Sequence, residues 1–202
     1  MPDLKFEQDA GGIVAGIDEV GRGPWAGPVV AGAVIIDPNK IPLRLSNIIN
    51  DSKKLTLKRR EEIAAHLPSC AKIGIGAATP YEIEKLNILG ATFKAMERAV
   101  KALPIKPDFV LVDGNRMPPL PCRGQAIVKG DSVSLSIAAA SIMAKVTRDS
   151  IMRKLSLRYP GYGWERNAGY GTPQHSEALR NIGVTPHHRR SFAPIIKMLS
   201  LE

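Results

Sequence analysis

The sequence predicts an α/β fold built around a mixed β-sheet, and three observations carry that expectation. Short apolar runs bounded by turn residues alternate with longer helical patterns, in the order strand, strand, strand, helix, strand, strand, helix. The first two runs, Ile13–Ile17 and Pro28–Ile36, are joined by a tight connection rich in Gly and Pro. With 202 residues, 44% hydrophobic and 23% charged, the chain suits one domain of ordinary size with a single core.

Taken in order, residues 1–11 read as a short tail before the first strand. The four residues GRGP after Asp18, Glu19 and Val20 supply a bend. Neighbouring strand side chains point to opposite faces, so Asp18 and Glu19 can serve one site only if the strand ends or bends there. Pro38–Ser52 reads as mixed loop, and a helix follows with Thr56 as its N-cap. Ala71–Thr79, AKIGIGAAT, has the alternation and glycine content of a strand closely approached by other backbone. Pro80 starts a helix that stops before Pro104. A fourth strand spans Asp108–Gly114, and after a proline-rich loop a fifth spans Gln125–Gly130. Asp131 begins a long segment whose Ala/Ser-rich half lets a helix pack close to the sheet.

The formal net charge is +9, which favours a polyanionic partner, nucleic acid first and an anionic membrane second. From Lys145 to the end there are ten Lys or Arg against four Asp or Glu. Cys70 and Cys122 lie far apart with no CxxC, which argues against a zinc site or a disulfide framework and fits reduced, inert thiols. No apolar leader and no run of roughly 18 apolar residues occurs, so a cytoplasmic protein is expected, with no membrane contact. GxxxxGKS and GxGxxG are absent, which disfavours a nucleotide cofactor.

Three strand ends deliver acids from apolar surroundings: Asp18 with Glu19, Asp113, and Asp131. Carboxylates gathered at one sheet edge repel and raise one another's pKa unless divalent cations sit among them. Oxygen-only ligands suit Mg²⁺ or Mn²⁺, and four of them can hold two ions about 3.5–4 Å apart, the arrangement that clamps both oxygens of a phosphodiester. The structural alternative is that Asp113 begins a turn in DGN and Asp131 caps a helix. Spacing alone leaves the two readings even. His187 and His188 beside Arg189 and Arg190 read as a solvated basic patch that grips phosphates.

The stretches GIDEVGRGPWAGPVVAGAVI, DSKKL, LVDGN, KGDSVSLSIAAASIMAKVTRD, GYGT and HRRSFAP, in this order, resemble the bacterial ribonuclease HII family from Gly16 to Pro194. The resemblance implies a ribonuclease-H-like five-stranded mixed sheet flanked by helices. It implies a catalytic domain over 1–158 and a C-terminal helical segment over 159–202 that contributes to substrate binding. The implied activity is cleavage of the RNA strand of RNA/DNA hybrids and nicking 5′ of single ribonucleotides in duplex DNA, leaving 3′-hydroxyl and 5′-phosphate ends. It uses two Mg²⁺ or Mn²⁺ ions held by Asp18, Glu19, Asp113 and Asp131. Gly21, Arg22 and Gly23 look like the loop whose backbone reads the ribose 2′-hydroxyl, and Tyr170 like the tyrosine that stacks on the adjacent sugar. Arg22, Lys53, Lys145, Arg148 and Arg189 are expected to contact phosphates. Asp149 is a further acid whose role stays open. A monomer is expected.

Overall fold

The computed structural model describes residues 1–200, so Leu201 and Glu202 of the expected C-terminal segment lie outside the described residues. Its centre is a five-stranded sheet in the order β3-β2-β1-β4-β5, made of β1 (Val14–Val20), β2 (Val29–Ile36), β3 (Ala71–Ala78), β4 (Phe109–Asp113) and β5 (Arg123–Ile127). β1 pairs antiparallel with β2 and parallel with β4; β2–β3 is antiparallel and β4–β5 parallel. The sheet is therefore mixed, as the sequence predicts.

Eight α-helices accompany the strands among the described residues. They are α1 (Lys5–Ala10), α2 (Leu43–Ser46), α3 (Leu57–His66), α4 (Pro80–Lys101), α5 (Leu135–Arg158), α6 (Trp164–Asn167), α7 (Pro173–Ile182) and α8 (Ala193–Leu199). The pleat of β1 sorts its residues between two cores. Ala15 and Ile17 join α4 residues such as Ala95, Met96 and Ala99, while Val14 packs with Leu111 and Ile137 on the α5 side. The small residues allow close layers. A Cβ on Gly16 would run into the Ser136–Ile137 backbone of α5, and one on Gly74 or Gly76 into the carbonyls of Ala99 or Ala95 in α4. A third cluster, with Trp164, Tyr162, Leu179 and Ile195, seats the C-terminal helices against Ala26 and Met152.

Several expected boundaries shift. The tail contains α1, whose Glu7 carboxylate accepts from the Ser134 and Ser136 hydroxyls and the Ser136 N–H at 2.6, 2.6 and 2.9 Å, tying it to the start of α5. The expected 38–52 loop contains the single turn α2. The helix after Pro80 is interrupted at Asn87, which sits at φ 57° and whose side-chain oxygen accepts from the N–H groups of Leu89 and Gly90, restarting the helix. The fifth strand lies earlier than Gln125–Gly130, because Phe109↔Arg123 sets its register against β4. Thr56 and Thr79 are N-caps, each accepting from the N–H three residues on. Among the described residues, no helix is long and apolar enough to cross a membrane.

Candidate active site

β1 does not end or bend at Asp18–Glu19. It continues to Val20, with Asp18 opposite Gly32 and Glu19 opposite Ala31 in β2. The GRGP bend is present at Arg22–Gly23, but it comes after the acidic pair, so the alternation holds through that pair: Asp18 falls on the α5 face and Glu19 on the α4 face. The parallel register pairs Ile17 with Val112, so Asp18 and Asp113 follow side by side at the C-terminal ends of adjacent strands. Asp113 then pulls in the third acid. Its Oδ1 accepts the N–H of Gly130 at 2.7 Å, which draws the turn Gly130–Ser132 onto the end of β4 and brings Asp131 with it. Lys129 enters that turn at φ 57°. Asp131 is not the cap of α5; Ser134 is, accepting from the Ile137 N–H at 3.2 Å.

One carboxylate oxygen from each of Asp18, Asp113 and Asp131 lies within 4.8 Å of the others. Glu19 stands outside this trio, with Arg22 Nη1 at 3.3 Å from its Oε1. The electrostatics are those of an anion cluster that Arg22 and Lys53 compensate only in part. Burial, then Glu19 and Asp113, push Asp18 well above the usual carboxylate range, while the Ser141 hydroxyl and the Glu19 N–H act against the rise. Burial raises Glu19 too, opposed by Arg22 and reinforced by Asp113. Asp131 is raised by burial, then by Asp113 and Asp51, with Lys53 opposing. Such a set is relieved by positive charge, and its all-oxygen donors match a hard divalent cation such as Mg²⁺ or Mn²⁺. The residues present therefore fit the metal that the acids suggest.

Around the trio, Arg22 is half exposed and Tyr170 is 46% exposed. A Cβ on Gly23 would lie 3.5 Å from the Tyr170 ring, so the glycine loop and the tyrosine share one open face. Lys53 is exposed and its charge is felt at Asp131.

Other expected phosphate contacts are corrected. Arg148 and Arg189 are fully buried, and their guanidinium groups are spent on main-chain carbonyls, so neither faces a phosphate. Lys145 is committed to Asp149 at 2.8 Å, and Asp149, 3.9 Å from Arg60, braces α5 against α3 rather than joining the acidic trio. The expected solvated patch at His187–Arg190 is mostly interior as well.

His188 is 2% exposed; its Nδ1 accepts from the Thr185 N–H at 2.9 Å, so its Nε2–H donates to His175 Nε2 at 3.0 Å. His175 Nδ1–H in turn donates to the Tyr170 carbonyl at 2.9 Å. The chain Thr185–His188–His175 thus fixes the backbone that presents Tyr170.

Two neighbours of the trio go unassigned in the sequence reading. Ser141, in the Ala/Ser-rich stretch, reaches Asp18 and lies 2.9 Å from the Ser52 hydroxyl, both serines being buried. Asp51 lies beside Asp131. For Ser141 the only signal is a hydroxyl among small and apolar neighbours; for Asp51 it is membership of the DSKKL stretch.

The family model described as Ribonuclease HII matches residues 15–195. The chain is 56% identical to the ribonuclease HII of Paramagnetospirillum magneticum over 98% of this chain and 99% of that protein. It is likewise 56% identical to that of Rhodospirillum rubrum, over 99% and 93%. The solved ribonuclease H2 of Pyrococcus horikoshii superposes with a TM-score of 0.78 at 32% identity, over 93% of this chain and 97% of that one. With the motifs, the sheet order and these likenesses in agreement, the chain belongs to the ribonuclease HII family and is a metal-dependent endoribonuclease of RNA/DNA hybrids.

Proposed function

We propose that the protein, besides cutting the RNA strand of hybrids, nicks duplex DNA on the 5′ side of single embedded ribonucleotides, leaving 3′-hydroxyl and 5′-phosphate ends. The observation that carries this reading is the approach of Asp18, Asp113 and Asp131 within 4.8 Å beside an open face formed by Gly23 and Tyr170. Asp18, Glu19, Asp113 and Asp131 would hold two Mg²⁺ or Mn²⁺ ions, Glu19 from the opposite face of β1. When bound, the ions supply an acidified water and the positive charge that stabilises the leaving 3′-oxygen.

The chain's own groups do the rest. Arg22 and Lys53 bind backbone phosphates and set the duplex in place without reading sequence. Gly21, Arg22 and Gly23 bring main-chain donors against the ribose, where only a 2′-hydroxyl tells RNA from DNA. Tyr170 packs its ring on the neighbouring deoxyribose, where a second hydroxyl has no room.

A duplex carrying one ribonucleotide, incubated with Mg²⁺ or Mn²⁺ and with chelator, tests the reading. It predicts a single nick 5′ of the ribonucleotide that needs the ion. Cleavage confined to all-DNA four-way junctions would overturn it.

A further inference from the structure

We infer that Arg148 and Arg189 are positioning residues that shape the ribose-reading loop from beneath without touching the nucleic acid. This rests on the reading of Gly21, Arg22 and Gly23 given above. The two side chains come from α5 and from the segment between α7 and α8, and both are fully buried. Arg148 donates from Nε to the Pro28 carbonyl at 2.9 Å, from Nη1 to Ala168 at 2.9 Å and from Nη2 to Ala26 at 3.1 Å. Arg189 donates from Nε to the Gly27 carbonyl at 3.0 Å, from Nη1 to Arg22 at 2.7 Å and from Nη2 to Gly21. Five of these six acceptors lie within residues 21–28, and the sixth is two residues before Tyr170.

What the pair accomplishes follows from peptide geometry. In a trans peptide the C=O and the next residue's N–H point opposite ways. Turning the Gly21 and Arg22 carbonyls down onto Arg189 therefore turns the N–H groups of Arg22 and Gly23 up, on exposed residues beside Tyr170. Neither N–H has a main-chain acceptor among the described residues. The loop lies flat on the clamp: Gly21, at φ 93°, has no room for a Cβ above the Arg148 side chain.

Neither guanidinium has a carboxylate partner among the described residues. Burying cations with no carboxylate beside them is costly, and here the cost is offset by six main-chain carbonyls, which an apolar plug would leave without donors. Burial lowers Arg148 to about 10 and Arg189 to about 9, so both remain charged at neutral pH. Two uncompensated positive charges beneath the upturned amides strengthen them as donors to an oxygen lone pair.

Lysine keeps the charge but cannot fork to three diverging carbonyls, so Arg148→Lys and Arg189→Lys separate the clamp from the charge. The full chain, with Ca²⁺ in place of the activating ion, is titrated by fluorescence anisotropy against an all-DNA duplex and the same duplex with one ribonucleotide. In each folded variant the ribonucleotide preference is expected to fall at least fivefold, with all-DNA affinity within threefold of wild type. Amide exchange should quicken at least tenfold at Trp25, Ala26 and Gly27, whose N–H groups are bonded to the Gly169 and His187 carbonyls, and stay unchanged in α5.

A preserved preference, or equal loss on both duplexes, overturns the inference alone. A wild type without any preference overturns the reading of the loop and the inference with it. A readout that needs no variant is the wild-type amide spectrum. Arg22 and Gly23 should shift more with the ribonucleotide duplex than with DNA while the Arg148 and Arg189 Nε–H signals stay in place; movement of those guanidinium signals instead overturns the inference.

Discussion

Replacing Gly32 with Ala should cost both stability and turnover, because Gly32 sets the spacing between the sheet and α5 next to Asp18. The two residues are cross-strand partners, and a Cβ on Gly32 would lie 2.5 Å from the Ala140 carbonyl oxygen. Ordinary contact begins at 3.4 Å, so helix and sheet must part by about 0.9 Å (3.4 minus 2.5). Retreat of α5 is itself costly, since it opens a gap over Gly16 on the next strand, where the Ser136–Ile137 backbone of the same helix now packs closely. Overpacking of this kind costs about 2–3 kcal/mol. In a chain of this size that corresponds to a fall in Tm of roughly 5–10 °C. The strain falls one residue before Ser141, the hydroxyl that reaches Asp18. A misplacement near 1 Å lowers kcat by up to about 100-fold. Thermal melts, together with hybrid cleavage measured well below the variant's Tm, check both effects. A Gly32→Ala protein that melts and cleaves like wild type would refute the close-packing argument.

Three other predictions address the surroundings of the site and the fold. Burial holds His175 below the ordinary imidazole range and His188 at about 3, so the folded state declines protons that the unfolded chain accepts near 6.5. Stability is then complete above about pH 6.5 and is lost as pH falls toward 3; for His188 the loss between pH 7 and 4.5 is about 2 kcal/mol. His188→Gln should flatten that slope in melts across pH 4.5–7, and an unchanged slope would count against it. Glu82, held at about 2 by Arg98, adds stability that is present above pH 4.5 and disappears as pH falls through about 2. Because Arg98 and Glu82 are 40% and 23% exposed, Glu82→Gln should cost only about 1 kcal/mol at pH 7 and nothing at pH 2, read from denaturant midpoints. Tyr170→Ala should weaken discrimination at RNA–DNA junctions in cleavage mapping, and intact discrimination would remove its sugar-reading role.

Much of the sheet was legible because its strands are short apolar runs punctuated by Gly, Pro and Asp, and because Gly16, Gly32, Gly74 and Gly76 mark where helices press closest. The acids were legible as strand ends, yet their meeting depends on register and on the Asp113–Gly130 hydrogen bond, which no local pattern encodes. The bend at GRGP was legible, but it lies beyond Val20 and so does not bring Asp18 and Glu19 to one face; the pleat sends them to opposite faces. Arg148 and Arg189 sit in the most basic quarter of the chain and so read as surface charge; only tertiary structure reveals the carbonyls that absorb them. α1 escaped notice because six residues carry too little periodicity, and its anchor is a contact to serines more than 120 positions away.

The converging carboxylates are there to support cleavage rather than binding. Turnover and affinity for one RNA/DNA hybrid, measured in parallel for wild type and for Asp18→Asn with saturating Mg²⁺ or Mn²⁺, test this most directly. Loss of turnover by at least about 1,000-fold with hybrid affinity within a few-fold of wild type is the predicted result. Near-normal cleavage by Asp18→Asn in either ion would contradict it.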